Sequence, residues 1–256
     1  MTGRSPAVVG RSLRLALGML TAIPVPAVLR VTPGVATGAL VLAPVAVLPL
    51  GALVGAILWA GGETTIPPLA VAFVALGALA LGSRALHLDG LSDVADGLTA
   101  SYDRERSLAV MKGGTAGPAG VVAVVLVLGA QAAALATFVG DTRSAVVAGT
   151  AVCASRAALW ITCASPVPPA RRDGLGSTFT RRVPGWWTLV GWAGLAGAAA
   201  LVDPWRGPLA VGVAALAVLL LVGRAVRRFG GVTGDVFGAA IEVALAALLI
   251  GLAGAP

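Results

Sequence analysis

Residues 31–62 read VTPGVATGALVLAPVAVLPLGALVGAILWAGG, and none of them is charged. A helix needs about 20 mostly apolar residues to cross the hydrocarbon core of a bilayer. The whole chain of 256 residues is 58% hydrophobic and 11% charged, whereas an average soluble domain has about 25% charged residues. A water-soluble domain of this size could not hide so much apolar surface. The sequence therefore predicts an all-α polytopic membrane protein.

Comparable apolar stretches recur between the charged segments and predict about seven transmembrane helices. We expect them at residues 38–59, 66–84, 120–141, 144–164, 186–202, 208–222 and 237–253. Residues 8–22 carry Arg11 and Arg14 and are predicted to form an interfacial helix. No long linker separates the spans, so we expect residues 1–256 to form a single integral-membrane catalytic domain.

The basic residues follow these spans as the positive-inside rule requires. With a cytoplasmic N-terminus, fifteen of the 18 basic residues fall on the cytoplasmic side, namely Arg4, Arg11, Arg14, Arg30, Arg84, Arg104, Arg106, Lys112, Arg171, Arg172, Arg181, Arg182, Arg224, Arg227 and Arg228. Orientation thus accounts for the net charge of +7, and we expect no nucleic-acid partner. We predict a multi-pass protein of the plasma membrane whose active site faces the cytoplasm.

The segment HLDGLSDVADGL, residues 87–98, places Asp89, Asp93 and Asp96 on one face of a helix. Three neighbouring carboxylates repel one another, so a cation is expected among them. Oxygen ligands without a Cys or His cluster favour Mg²⁺ or Mn²⁺ over zinc. The alternative is a solvated helix end at the membrane surface. His87 is a candidate ligand or base, although an isolated histidine at a helix end favours a supporting role.

Two glycine-rich segments precede predicted spans. Residues 112–120, KGGTAGPAG, predict a phosphate site formed by Lys112 and the turn of Gly113, Gly114 and Gly117, because free N–H groups at a helix start attract anions. The alternative is a flexible helix entry. Residues 230–235, GGVTGD, bring Thr233 and Asp235 to the start of the last span.

Charged residues also lie within or beside the spans. Glu242 falls inside the seventh span and Arg156 inside the fourth, which makes them candidate partners. A purely structural pair is the alternative, since buried charges must be paired. Arg171 and Arg172 open a basic loop that suits phosphate oxygens, or equally lipid headgroups.

Five segments together resemble the adenosylcobinamide-GDP ribazoletransferase (cobalamin synthase) family. They are LTAIPVP (20–26), HLDGLSDVADGL (87–98), SRAA (155–158), RRDGLGSTF (171–179) and GGVTGD (230–235). The resemblance implies a Mg²⁺-dependent membrane enzyme of the last assembly stage of cobalamin synthesis. Such an enzyme joins adenosylcobinamide-GDP to α-ribazole, or to α-ribazole 5′-phosphate, and releases GMP.

Site roles within this reaction are expectations. Asp89, Asp93 and Asp96 would hold Mg²⁺, and the candidate catalytic residues are Asp89, Asp93, Asp96, Asp235 and His87. The candidate substrate-binding residues are Lys112, Gly113, Gly114, Gly117, Arg156, Arg171, Arg172, Thr233 and Glu242. The sequence leaves open a homo-oligomer or an association with other corrin-pathway enzymes.

Two other functions fit parts of the sequence. A CDP-alcohol phosphotransferase also uses spaced aspartates, but Asp93 stands where its Asp-Gly-x-x-Ala-Arg pattern requires the Ala-Arg pair. An ion-coupled transporter could use Arg156 and Glu242 as a relay. Against it, the carboxylates crowd at one surface, and no pair of broken helices recurs in symmetric halves.

Overall fold

The computed structural model describes residues 6–254, so Arg4 lies outside the described residues. Within that range the chain forms fourteen α-helices and one 3₁₀ turn, and no strand. The helices are α1 (Pro6–Leu20), α2 (Pro33–Val41), α3 (Ala43–Ala46), α4 (Leu48–Gly62), α5 (Pro68–Gly82), α6 (Leu86–Ala100), α7 (Arg104–Val110), α8 (Pro118–Ala136), α9 (Thr142–Ala154), α10 (Ala158–Thr162), α11 (Gly174–Phe179), α12 (Gly185–Ala200), α13 (Arg206–Phe229) and α14 (Gly234–Leu252). The 3₁₀ turn, Ser155–Ala157, joins α9 to α10.

Helix α14 is the centre of the bundle. It packs against α6, α8, α10 and α13, and most of its residues are buried. The helix begins where the Thr233 hydroxyl accepts a hydrogen bond from the backbone N–H of Val236, the usual way in which a threonine caps a helix start. The first turn of α14 therefore has a fixed place at one end of the core.

Four stretches are long and apolar enough to cross a membrane: Pro118–Ala136, Thr142–Thr162, Arg206–Phe229 and Gly234–Leu252. Helices α5 and α6 pass the same test only as a pair, and they meet at 91°. The prediction of an all-helical membrane fold is confirmed.

The predicted span 38–59 is not a single helix, because the structure divides it among α2, α3 and α4. Helices also lie at the predicted spans 66–84 and 186–202, but α4, α5 and α12 have only 15, 15 and 16 residues. At 1.5 Å per residue such helices are about 23 Å long, less than the roughly 30 Å of a hydrocarbon core. Seven crossings and a cytoplasmic N-terminus stay predictions. The predicted N-terminal helix is present as α1, which buries Ser12, Ala16 and Leu20 against the bundle and exposes both of its arginines. Its position at the membrane interface stays a prediction.

The sharp bend between α5 and α6 is made by two consecutive left-handed residues, Arg84 (φ 58°) and Ala85 (φ 52°). This conformation is unfavourable for residues with a Cβ, so other contacts must hold it. The end of α1 supplies them. The Arg84 guanidinium donates to the carbonyl of Gly18 at 2.7 Å, and the N–H of Ala22 donates to the carbonyl of Gly82 at 2.6 Å. Because α6 turns away from the apolar α5 and carries three carboxylates, we treat it as a helix outside the spans.

Candidate active site

Helices α6 and α14 touch where each has a glycine. A Cβ added to Gly90 would lie 2.6 Å from the carbonyl oxygen of Asp235, and one added to Gly238 would lie 2.9 Å from the Cα of His87. Both distances are well inside van der Waals contact, so the two backbones meet directly. This contact sets the acidic α6 against the first turn of α14.

Replacing Gly90 by valine should push the two helices apart. The branched side chain would overlap the backbone of Asp235, and we expect a loss of about 1–3 kcal/mol of stability, the usual cost of overpacking. Gly77→Val is the matched control, because it is also a mid-helix substitution and a Cβ at Gly77 meets no heavy atom within 4 Å. Thermal unfolding in detergent measures the difference, and equal midpoints for the two variants would contradict the contact.

Asp93 is the half-buried member of a group of carboxylates. Burial raises the pKa of Asp93 to about 6, helped by the negative charges of Asp89, Asp235 and Asp96 and opposed by Arg171. These acids therefore lie close enough to repel one another. In residues 6–254, no three His, Cys, Asp or Glu side chains converge on one point closely enough to form a ready-made metal site. The metal-ligand set of Asp89, Asp93 and Asp96 stays a prediction.

A cavity of about 260 Å³ opens beside the start of α14. Arg171, Lys112, Thr233 and Asp235 line it. The Arg171 guanidinium also donates to the carbonyl of Leu108, and the Thr233 hydroxyl donates to Asp235 at 3.0 Å. The cavity thus combines two cations with a helix start, the groups that bind phosphate, and it adjoins an acid that faces Asp93.

The other predicted phosphate-binding residues lie away from this cavity. Arg172 is exposed and does not line it. Gly113 and Gly117 border a separate surface depression together with Asp96, and Gly114 borders neither. The structure therefore brings Lys112 to the cavity without the glycine turn that follows it.

The predicted partners Arg156 and Glu242 are both buried in the core. No described ion pair within 4.0 Å joins them. The Arg156 guanidinium donates to the carbonyl of Val152 and to the hydroxyl of Ser155, which leaves its Nε and Nη2 atoms unpartnered among the described residues. The predicted pair is therefore not a direct contact: the two opposite charges lie on the 3₁₀ turn and on α14, which pack against each other.

Glu242 has two other polar neighbours. One of its carboxylate oxygens accepts a hydrogen bond from the side-chain amide of Gln131 at 2.9 Å, and the other lies 3.8 Å from Nδ1 of His87. Sequence reasoning missed Gln131. Its signal was available, because Gln131 is the one amide side chain in the otherwise apolar α8. His87 thus joins the carboxylates of α6 to a polar cluster inside the core.

A second residue missed by sequence reasoning is Asp173, which lines the cavity and lies 3.8 Å from the ammonium of Lys112. Both side chains are largely exposed, so the ion pair contributes little to stability. The pair does show that Lys112 and Asp173 meet at the cavity.

Comparison with known proteins identifies the family of the chain. The family model for cobalamin-5-phosphate synthase (CobS) matches residues 12–253. This chain belongs to the cobalamin-5-phosphate synthase family. It is 54% identical over 237 residues to the adenosylcobinamide-GDP ribazoletransferase of Nocardioides sp. (strain ATCC BAA-499 / JS614), covering 93% of this chain and 96% of the relative.

More distant relatives of the cobalamin-5-phosphate synthase family carry the same name. The proteins of Frankia casuarinae and Pseudomonas aeruginosa (strain UCBPP-PA14) are 35% and 37% identical, and each alignment covers at least 93% of both chains. No solved structure matches the chain. The predicted family is confirmed, and with it an enzyme of cobalamin assembly in a membrane-embedded helical fold.

Proposed function

We propose that this chain joins adenosylcobinamide-GDP to α-ribazole, or to α-ribazole 5′-phosphate, and releases GMP. The observation that carries the proposal is the cavity at the start of α14, where Arg171 and Lys112 stand beside Asp235 and the carboxylates of α6. A diphosphate donor needs cations for its oxygens, and a transferase needs a place for the acceptor hydroxyl beside them.

In the proposed reaction, Arg171, Lys112 and Asp235 have separate roles. A ribose hydroxyl oxygen of the acceptor forms a bond to the phosphorus that bears cobinamide, while the bond from that phosphorus to the bridging oxygen breaks. The attacking hydroxyl is not the 5′ one, because the 5′ oxygen already carries phosphate in α-ribazole 5′-phosphate. GMP leaves with the bonding electrons, and the hydroxyl proton is released. Arg171 and Lys112 stabilise the charge on the departing phosphate. Asp235 orients the attacking hydroxyl and is itself held by the Thr233 hydroxyl.

The carboxylates fit a hard divalent cation. Asp93 is disfavoured as an anion by its burial and its acidic neighbours, and a bound cation would relieve that repulsion. Asp89 and Asp93 would hold Mg²⁺, with Asp235 as a neighbouring oxygen donor. When bound, Mg²⁺ would neutralise charge on the donor diphosphate.

His87, Glu242 and Arg156 support the site from inside the core. Glu242 lies 3.8 Å from His87, and His87 lies two residues before Asp89 on α6. We assign these three residues to holding the beginning of α6 against α14, since all three are buried and none lines the cavity.

The proposed location is the plasma membrane, with the cavity on the cytoplasmic face. The basic segments around Lys112, Arg171 and Arg227 support this orientation through the positive-inside rule. Labelling single cysteines at exposed positions 102 and 172 in sealed vesicles tests it. Labelling of the two positions from opposite sides would contradict a single site built from both segments.

Release of GMP by the purified protein in nanodiscs tests the reaction. We expect GMP only when adenosylcobinamide-GDP, α-ribazole and Mg²⁺ are all present. Release of CMP from a CDP-alcohol donor, without GMP release from the corrinoid donor, would contradict the proposal and favour a CDP-alcohol phosphotransferase.

Arg171→Ala should raise the KM for adenosylcobinamide-GDP by about tenfold to a hundredfold. Hydrogen bonds to charged groups contribute about 1.5–3 kcal/mol, and each 1.4 kcal/mol is a factor of ten. Arg227→Ala is the matched control, because Arg227 is exposed at the end of α13 and does not line the cavity. Steady-state GMP release measures both KM values, and an equal KM in the two variants would remove Arg171 from the site.

A further inference from the structure

Asp96 is buried, with 8% of its surface exposed, and both of its carboxylate oxygens are engaged by the backbone. The N–H of Gly117 donates to one oxygen at 2.6 Å, and the N–H of Gly120 donates to the other at 2.9 Å. Gly117 is the N-cap residue of α8. A carboxylate at this place satisfies N–H groups that have no partner within the helix, and it also interacts favourably with the helix dipole.

The two glycines make room for this carboxylate. A Cβ on Gly117 would lie 2.5 Å from an Asp96 oxygen, and a Cβ on Gly120 would overlap both Asp96 and the hydroxyl of Ser92. By contrast, a Cβ on Gly129, further along α8, meets no heavy atom within 4 Å. The glycine-rich turn is therefore shaped around a side chain of the protein itself.

The contact between Asp96 and the start of α8 fixes one end of the segment that joins α6 to α8. This segment contains α7 and Lys112, and Lys112 lines the cavity at the start of α14. At the first residue of α7, Arg104 donates to the carbonyls of Phe229 at 2.7 Å and Ala170 at 2.8 Å. Lys112 thus lies between contacts on both sides of it in the sequence. Arg104 and, through the carbonyl of Leu108, Arg171 hold the preceding residues, and Asp96 holds the residues that follow, beginning at Gly117.

We propose that Asp96 is a positioning residue, whose carboxylate holds the start of α8 and so places Lys112 at the cavity, rather than a ligand of the metal ion. The inference rests on the proposed function for the role of Lys112. It also means that the anion at the glycine-rich turn is Asp96, and that the donor diphosphate is bound by Lys112 and Arg171 without this turn.

Asp96→Asn, Gly117→Ala and Gly120→Ala test the proposal, with Gly129→Ala as the matched control. The asparagine removes the charge, and each alanine displaces a carboxylate that is still present. We expect all three variants, but not the control, to raise the KM for adenosylcobinamide-GDP by about tenfold, the loss of about one charge-assisted contact. The Mg²⁺ concentration that gives half-maximal rate should stay within about twofold of the wild-type value. If Asp96 were instead a metal ligand, Asp96→Asn would need much more Mg²⁺ while its KM for adenosylcobinamide-GDP stayed unchanged. The two glycine variants would then keep the wild-type KM. That result would overturn the proposal.

Two measurements do not depend on turnover. Amide hydrogen exchange of residues 101–117 should be faster in Asp96→Asn and Gly117→Ala than in Gly129→Ala, and binding of inorganic pyrophosphate should weaken by about tenfold. If the wild-type protein released no GMP, the proposed function would fail, but exchange and pyrophosphate binding would still decide the role of Asp96. Unchanged hydrogen exchange in Asp96→Asn would show that Asp96 does not hold the segment between α6 and α8. Unchanged pyrophosphate binding would show that Asp96 does not place Lys112 at the cavity.

Discussion

Asp93→Asn is expected to lower the Mg²⁺-dependent rate of GMP release by at least about a hundredfold, the usual scale for loss of a group that stabilises charge in a transition state. The pKa of Asp93 is raised by burial and by the negative charges of Asp89, Asp235 and Asp96. Asparagine keeps the shape of the side chain and removes its charge. The same variant should need more Mg²⁺ for its residual activity, because a ligand oxygen has been weakened.

The control for Asp93→Asn is Asp103→Asn. Asp103 lies in the same acidic segment but caps α7, where it accepts a hydrogen bond from the N–H of Arg106 at 2.8 Å. Asparagine is an equally good cap, so this variant should keep the wild-type rate. A wild-type rate and Mg²⁺ requirement in Asp93→Asn would remove Asp93 from the metal site.

Arg156→Met is expected to destabilise the protein by about 3–5 kcal/mol, because it leaves the buried carboxylate of Glu242 without a compensating charge. Arg156 is completely buried, and its replacement also frees the carbonyl of Val152 from its hydrogen bond. The unfolding midpoint in detergent measures the loss. The effect is on the fold, so we expect it with or without substrates.

Two further variants separate charge balance from packing. Arg156→Met combined with Glu242→Gln should be more stable than Arg156→Met alone, since glutamine is neutral and can still accept the hydrogen bond from Gln131. Arg143→Met is the control at the exposed start of α9, the helix that precedes the 3₁₀ turn of Arg156, and Arg143 donates to the carbonyl of Val202. A double variant no more stable than Arg156→Met would show that Arg156 does not balance Glu242.

The sequence predicts the parts of this protein that depend on local pattern. Apolar stretches locate the long helices α8, α13 and α14, although the stretch 31–62 is divided into three helices. Thr233 followed by Gly-Asp locates the start of α14. The ordered motifs identify the family. A charge inside an apolar stretch must be buried and compensated, which correctly places Arg156 and Glu242 in the core.

Contacts between distant segments could not be predicted in this way. The spacing of Asp89, Asp93 and Asp96 places them on one helical face, but it does not say which neighbour each carboxylate meets. Asp96 meets backbone N–H groups 21 and 24 residues further along the chain. The bend at Arg84 could not be predicted either, because no glycine marks it. Its left-handed backbone is stabilised by a contact with the end of α1.

The bend between α5 and α6 decides the depth at which the carboxylates lie. Asp89 and Asp96 are seven residues apart, a distance of about 10 Å along a helix. Had α6 continued straight from α5, those 10 Å would separate the acids in height above the lipid. If α5 lies along the bilayer normal, the angle of 91° between the helices instead places the acids at a common height. A substrate that diffuses laterally in the membrane would then meet Asp89 and Asp93, the two carboxylates of α6 proposed to hold Mg²⁺, at a single depth.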